Sequence, residues 1–248
     1  ARGAKLVLSA RNKAELERVA DACKAAAGGH ADVLVLPLDI TNYAAMPDAR
    51  DTVLNRFGHV DMLINNAGIS QRSFCMDTDF SVYRQLMEVD VLGQIALTQT
   101  LLPVLVKQGH GHIAATASVA GKVGAPLRTG YCAAKHAVMG FFDALRTEVA
   151  AEGVQVTTIV PGFIRTSVSR NALNADGKTT GEMDEDVDGG MDVGACAAAI
   201  IDGFEEGNPE IAVGEGPEMQ LLSLKRDDPI ATFQMLEAMA AQVRAGSH

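Results

Sequence analysis

Tyr131 and Lys135 stand four residues apart at the head of a strongly helical stretch, so their side chains share one helix face. An ammonium held beside a phenol favours the phenolate and draws a phenol's pKa down from its reference value of about 10. Such a pair would make Tyr131 an acid/base at neutral pH. A Tyr-x-x-x-Lys spacing alone is weakly specific, and an ordinary helix start with a surface lysine explains it as well. Its context says more. Ser118 lies thirteen residues upstream of Tyr131, at the end of the apolar run 112–117, where a hydroxyl can meet the tyrosine across a cleft.

The elements that must position these groups follow from the chain as a whole. Its 248 residues suit one large α/β domain, read here as spanning 1–248, with enough sequence for a sizeable core. A formal net charge of −10 argues against nucleic acid or an anionic membrane as partner, since both would repel it. The four cysteines (Cys23, Cys75, Cys132, Cys196) are scattered without a Cys-x-x-Cys pair, which fits a reducing, cytoplasmic setting and no zinc site. His110 and His112 flank one glycine without further ligands at metal spacing, so no metal is expected. No uninterrupted apolar run reaches bilayer-spanning length, and no signal peptide is visible. Gly246-Ser247-His248 has the look of an added tag and is left out of the fold reading.

Strand-like and helix-like segments alternate. Residues 5–10 form a short apolar run, followed by Asn12 as a helix N-cap, Glu15 three residues on, and a helix over 13–27. Further strands are predicted at 33–37, 61–64, 112–118, 155–160 and 210–213. Helices are predicted at 44–57, 80–107, from Tyr131, at 193–204 and in the C-terminal tail. Strands that are apolar throughout and separated by helices indicate a parallel sheet buried on both faces, in a doubly wound, Rossmann-like α/β fold. Ligands in such sheets bind beyond the carboxyl ends of the strands. Arg11, Asp39, the Asn65-Asn66-Ala67-Gly68 run, Ser118 and Pro161-Gly162 all fall at such ends. No internal repeat or linker divides the chain.

The order Ser-x12-Tyr-x3-Lys, with Asn-Asn-Ala-Gly before it and Pro-Gly-x-x-x-Thr after it, resembles the short-chain dehydrogenase/reductase family over nearly the whole chain. The resemblance implies an oxidoreductase that interconverts a carbonyl and a secondary alcohol, with a small-molecule carbonyl or alcohol as substrate. Tyr131 would exchange a proton with the substrate oxygen, and Lys135 would bind the nicotinamide ribose and lower the tyrosine pKa. Ser118 would hold and polarise the carbonyl oxygen. Asn65, Ala67 and Gly68 match the motif that steadies the sheet and lines the adenine-ribose side; a plain strand-to-loop turn is the other reading. Asp39 and Ile40 match an adenine-contacting pair, although Asp39 also reads as a solvated turn carboxylate. Pro161, Gly162, Ile164 and Thr166 match the segment that holds the nicotinamide carboxamide. The family's usual Asn in a Val-Asn-x-x-Gly segment is replaced by Asp90 in Val89-Asp90-Val91-Leu92-Gly93. If the backbone carbonyl there anchors the proton-relay water, the change is tolerable; if the side chain matters, the relay is altered.

Cofactor choice rests on the end of the first strand. A carboxylate there accepts from the ribose 2′-hydroxyl of NAD, whereas an arginine suits the 2′-phosphate of NADP. Ala10-Arg11 lacks the carboxylate and supplies the guanidinium, so NADP(H) is expected over NAD(H), unless Arg11 is only a surface charge. The glycine-rich turn that cradles the pyrophosphate is not in this sequence. Ala1-Arg2-Gly3-Ala4 resembles the end of the family's first helix, so roughly 25 to 30 residues, about one βα unit, are expected to precede it. The alternative is a chain without that cradle, a catalytically silent scaffold or regulatory protein. The polar 167–191 segment, with Met183 and Met191, is expected to form a lid over the substrate. Cys132 is read as a packed small side chain. Family members commonly pair through the two long helices, so a homodimer or homotetramer is expected.

Overall fold

The computed structural model describes residues 3–246; Ala1, Arg2, Ser247 and His248, and with them the tag reading and the two ends of the domain, lie outside the described residues. Strand β1 (Leu6–Leu8) leads through helix α1 (Lys13–Ala26) to strand β2 (Val33–Val35). Asn12 caps α1 as its sequence position predicts, with its Oδ1 accepting the Glu15 backbone N–H at 3.2 Å. The Glu15 carboxylate does not turn back to complete a capping box. It pairs with Arg18 one turn further on.

A short 3₁₀ turn (Tyr43–Ala45) and α2 (Met46–Phe57) then lead to β3 (Met62–Asn65). The long helix predicted over 80–107 consists of α3 (Phe80–Leu86), a π-helical turn (Met87–Leu92) and α4 (Gly93–Gln108). The rest of the chain is β4 (Gly111–Thr116), α5 (Thr129–Val149), β5 (Val154–Pro161), α6 (Glu185–Asp188), α7 (Val193–Glu205), β6 (Glu210–Val213), α8 (Leu221–Asp227) and α9 (Pro229–Gly246). The C-terminal tail, read as one helix, breaks at Asp228. Proline disfavours helical backbone in the residue before it, and Asp228 is extended at φ −142, ψ 80.

Every strand pairing is parallel, with β3-β4-β5-β6 in one sheet and β1-β2 in another. The single sheet predicted from the alternation is thus present in two pieces among the described residues. In the usual doubly wound order, 3-2-1-4-5-6, the break corresponds to the place between the second and fourth strands. Its local effect is visible in the burial. β1 and β2 are only half-buried, and Ile64 on β3 is 50% exposed, whereas Ile113, Ala114 and Ala115 on the central β4 are fully buried.

Helices cover both faces of the larger sheet. On one side Leu101 and Leu105 of α4 and Val138, Phe142 and Leu145 of α5 pack on Ile113, Ala115, Val156 and Val160. On the other, Cys196, Ile200 and Phe204 of α7 pack on Ala114, Ile159 and Val213. The alternation of Ile113 and Ala115 with Ala114 is the two-residue period of a strand buried on both faces. Gly121 lets the start of β4's exit loop lie against α5: a Cβ there would come within 2.8 Å of the Lys135 carbonyl oxygen.

The helical run Phe80–Gln108 has 29 residues, with a mean hydropathy of 1.6 in its most apolar 18-residue window, and so is long and apolar enough to cross a membrane by length and composition. Its Gln94, Thr98, Leu101 and Leu105 are buried, the two leucines in the core against the sheet.

Candidate active site

The carboxyl ends of the strands carry the residues singled out from the sequence. Arg11 follows β1 and is exposed, close enough to Asp39 beyond β2 for its charge to help hold that carboxyl down. The larger cause is local: Asp39 Oδ1 accepts the Thr41 backbone N–H at 2.9 Å and the Thr41 hydroxyl at 2.8 Å, closing the turn on itself. Ile40 leans across to the start of α4, where a Cβ on Gly93 would lie 2.7 Å from its Cγ1. Glycine at this point lets the loop beyond β2 and α4 touch.

The Asn65–Gly68 run anchors β3 to α4. Asn65, buried at the strand end, donates to Thr98 Oγ1 at 3.0 Å, and Gln94 Nε2 donates to the Ala67 carbonyl at 2.8 Å. Neither Gln94 nor Thr98 carries a sequence motif; each is a polar residue inside an apolar helix, and that contrast was the available signal. Asn66 Oδ1 accepts from Thr116 Oγ1 at 2.9 Å, tying the run to the end of β4. Asn66, Ala67 and Gly68 are exposed.

Lys135 is buried at the centre of this arrangement. Its ammonium donates to the Thr116 carbonyl at 3.0 Å and pairs with Asp90 Oδ2 at 3.3 Å. Asp90 Oδ1 accepts the Ile69 backbone N–H at 2.8 Å. Burial pushes the Asp90 carboxyl above its ordinary range, and the Lys135 charge acts against that rise. Asp90 sits within the π-helical turn, a local widening that often marks functional positions in helices. A Cβ on Gly68 would stand 3.1 Å from both Asp90 Oδ2 and Lys135 Nζ, so a glycine is what lets the loop close over the pair.

Tyr131 lies one turn before Lys135, whose Nζ is 5.6 Å from the ring centroid. The ring is half-buried against Ile69, Val82, Leu86 and Leu173. Ser118 accepts the Ala120 backbone N–H at 3.1 Å and donates to the Pro161 carbonyl at 3.4 Å, so its hydroxyl joins the ends of β4 and β5 and makes no bond to Tyr131. Neighbouring Cys132 is packed, with its thiol pushed up by burial.

Pro161 ends β5, and the segment after it is held by Glu218, which the sequence did not signal, and by the Met191 backbone. Glu218, buried on the turn before α8, accepts the Phe163 backbone N–H at 2.8 Å and fills the space beside Gly162 and Gly216. Met191 exchanges backbone hydrogen bonds with Phe163 and Arg165 on either side of Ile164. Met191 itself packs with the α7 core. Thr166 Oγ1 accepts from the Val168 N–H at 3.4 Å. Met183 lies within the 167–191 segment, its sulfur accepting from Ser169 Oγ at 3.0 Å.

A parallel sheet covered on both faces, with the candidate site residues at the carboxyl ends of its strands, defines a doubly wound α/β protein of the Rossmann type. Residues 1–177 match the family model described as short chain dehydrogenase. The chain is 35% identical over 251 residues to dehydrogenase/reductase SDR family member 7B of Bos taurus, covering 100% of this chain and 77% of that protein. It is 39% identical over 217 residues to family member 7 of Homo sapiens, covering 87% of this chain and 64% of the human protein. A solved short chain dehydrogenase/reductase from Burkholderia phymatum, in complex with NAD, superposes with a TM-score of 0.80 at 25% identity over 90% of this chain and 84% of its own. The chain belongs to the short-chain dehydrogenase family.

Proposed function

We propose that this chain is an NADP(H)-dependent oxidoreductase that interconverts a carbonyl and a secondary alcohol. The observation that carries the reading is the approach of Lys135 Nζ to within 5.6 Å of the Tyr131 ring, at the strand ends where ligands of such sheets bind. The residues present fit a nicotinamide dinucleotide. The exposed residues Asn66 to Gly68, the glycine beside the Asp90–Lys135 pair, and the turn beyond Pro161 line one edge of the larger sheet. When bound, the nicotinamide supplies or accepts the hydride at the substrate carbon.

The chain's own groups do the rest. Tyr131 gives its phenolic proton to the carbonyl oxygen in reduction and takes it back in oxidation. Lys135 would hold the nicotinamide ribose with the one ammonium proton not given to Thr116 and Asp90. Ser118 donates to the substrate oxygen once its bond to Pro161 is exchanged. Asn65, Ala67, Gly68, Asp39 and Ile40 line the adenine-ribose side, and Pro161, Gly162, Ile164 and Thr166 the carboxamide side. Arg11 with no carboxylate at Ala10 favours a 2′-phosphate, hence NADP(H). The Burkholderia phymatum neighbour holds NAD, so this preference is a property of the present strand end and not of the fold.

A second reading, a silent scaffold, has one observation in its favour: Asp90 engages the lysine that the chemistry needs. Turnover of simple ketones with NADPH separates the two. Replacing Tyr131 with Phe is expected to lower kcat by a factor of about 10² or more while NADPH still binds; an unchanged rate refutes the mechanism.

A further inference from the structure

Gln71 is fully buried, and every polar atom of its side chain is engaged. Its Oε1 accepts the Gly130 backbone N–H at 2.7 Å, one of the donors left free at the start of α5. Its Nε2 donates to Ser73 Oγ and Thr78 Oγ1, each at 3.2 Å. Thr78 gives its one proton to the Phe74 carbonyl at 2.7 Å, so both hydroxyl oxygens are acceptors for the amide and the oxygen end must face Gly130. The contact is close-packed. A Cβ on Gly130 would lie 2.8 Å from Gln71 Oε1 and from Leu86 Cδ1.

The backbone on either side of Gln71 holds the other side of the site. Leu173 of the 167–191 segment donates to the Ser70 carbonyl and accepts from the Arg72 N–H, both at 2.8 Å, forming a bridge centred on Gln71. Leu173 and Tyr131 pack in one apolar cluster. The Gln71 side chain therefore grips the residue before Tyr131, while its neighbours Ser70 and Arg72 grip a residue packed in that cluster. A second tie spans the same three segments: Asp184, almost wholly buried, pairs with Arg72 and with Arg128 at 2.8 Å from the latter.

We propose that Gln71 is a positioning residue that sets the first turn of α5, and with it Tyr131, in register with the 167–191 segment. The proposal rests on Tyr131 as the acid/base but concerns its placement, so it can be tested apart from turnover. In the folded state, movement of the 167–191 segment is transmitted to Tyr131 through one side chain and one backbone bridge.

The test compares the wild-type chain with Gln71→Leu and Gln71→Glu by hydrogen exchange at the 129–132 and 170–174 backbones and by steady-state kinetics with NADPH. Gln71→Leu should speed exchange in both segments and lower kcat on the order of ten- to a hundredfold, with the KM for NADPH unchanged. Gln71→Glu keeps an oxygen toward Gly130 at a helix N-terminus that favours negative charge, and with the Ser73 hydroxyl turned from Thr78 to donate to its second oxygen it should restore protection at 129–132. Exchange that is unchanged, or faster at 170–174 alone, overturns the proposal. So does a Glu variant that folds without restoring protection. If Gln71→Leu does not fold, Thr78→Val removes one of the two hydroxyls that hold the amide nitrogen and should give a smaller increase in exchange, paired across the same two segments. If Tyr131→Phe proves fully active, the acid/base reading falls and the exchange result alone decides the coupling.

Discussion

Asp90 Oδ2 stands 3.3 Å from Lys135 Nζ, with the two side chains 0% and 5% exposed. The pair joins the π-helical turn to α5 beneath Gly68. Removing one member of a buried ion pair leaves the other charge uncompensated, which costs about 3–5 kcal/mol. Asp90→Leu should therefore lower the unfolding free energy by about that much in urea titration, whereas Asp90→Asn, which keeps an acceptor for the Ile69 N–H, should lose less. The pH sign follows from the raised carboxyl. Between 3.8 and its higher folded value, the folded state binds more protons than the unfolded one, so this group's contribution falls as pH rises through that window. Asp90→Asn should flatten that part of the stability–pH curve; an unchanged curve would show that the carboxyl titrates normally.

Arg11 offers a test of cofactor choice that leaves the chemistry alone. It is exposed at the end of β1, remote in sequence from Tyr131 and Lys135. Arg11→Ala should weaken NADPH binding by a factor of ten to a hundred, from the loss of charge-assisted bonds worth about 1.5–3 kcal/mol, and leave NADH binding almost unchanged. Equal weakening of both in a binding titration would remove the NADP(H) preference.

Gly121 tests how tightly α5 is seated. A methyl there would meet the Lys135 carbonyl at 2.8 Å and Met139 Cγ at 3.1 Å, and the first of these is backbone that cannot rotate away. Gly121→Ala should cost about 1–3 kcal/mol from overpacking. For a chain of this length that is a fall in melting temperature of roughly 2–4 °C per kcal/mol in a thermal scan. Turnover should fall as well, because Lys135 moves with its backbone.

His112 gives the molecule a second pH response, away from the site. Its ring bonds Thr157 Oγ1 at 2.9 Å and meets Phe204 edge-on at 5.2 Å, and burial lowers its pKa below the ordinary 6.5. The folded state resists protonation there, so stability is full above 6.5 and is lost as pH falls through the depressed folded value. His112→Asn should remove this component. Urea midpoints measured between pH 7 and 5 should then fall less steeply than for the wild type.

The order of elements, the parallel sheet and the strand ends that carry polar residues were legible in the amino-acid sequence. Each is local: apolar runs alternate with helical periodicity, Asn12 caps α1, and the 210–213 strand falls where its pattern places it. The pairing of Tyr131 with Lys135 was equally legible, since a spacing of four on a helix places side chains together whatever surrounds them. Other features depend on contacts between residues far apart in the chain. The π-helical turn at Asp90, the split of the sheet between β1 and β3, and the hold of Glu218 on Phe163 leave no periodic trace in the sequence.

Gln71 shows the difference most clearly. In sequence it is one polar residue in a loop after Asn-Asn-Ala-Gly-Ile-Ser, and residue type alone assigns it to solvent. In the folded chain it is fully buried because Gly130, Ser73 and Thr78 together satisfy its donors and acceptor, a condition met only when segments 59 residues apart come into hydrogen-bonding distance. Which residues are candidates for the chemistry was written in local spacing. How they are held in place was decided by tertiary packing, because a buried polar group is tolerated only where distant partners arrive to satisfy it.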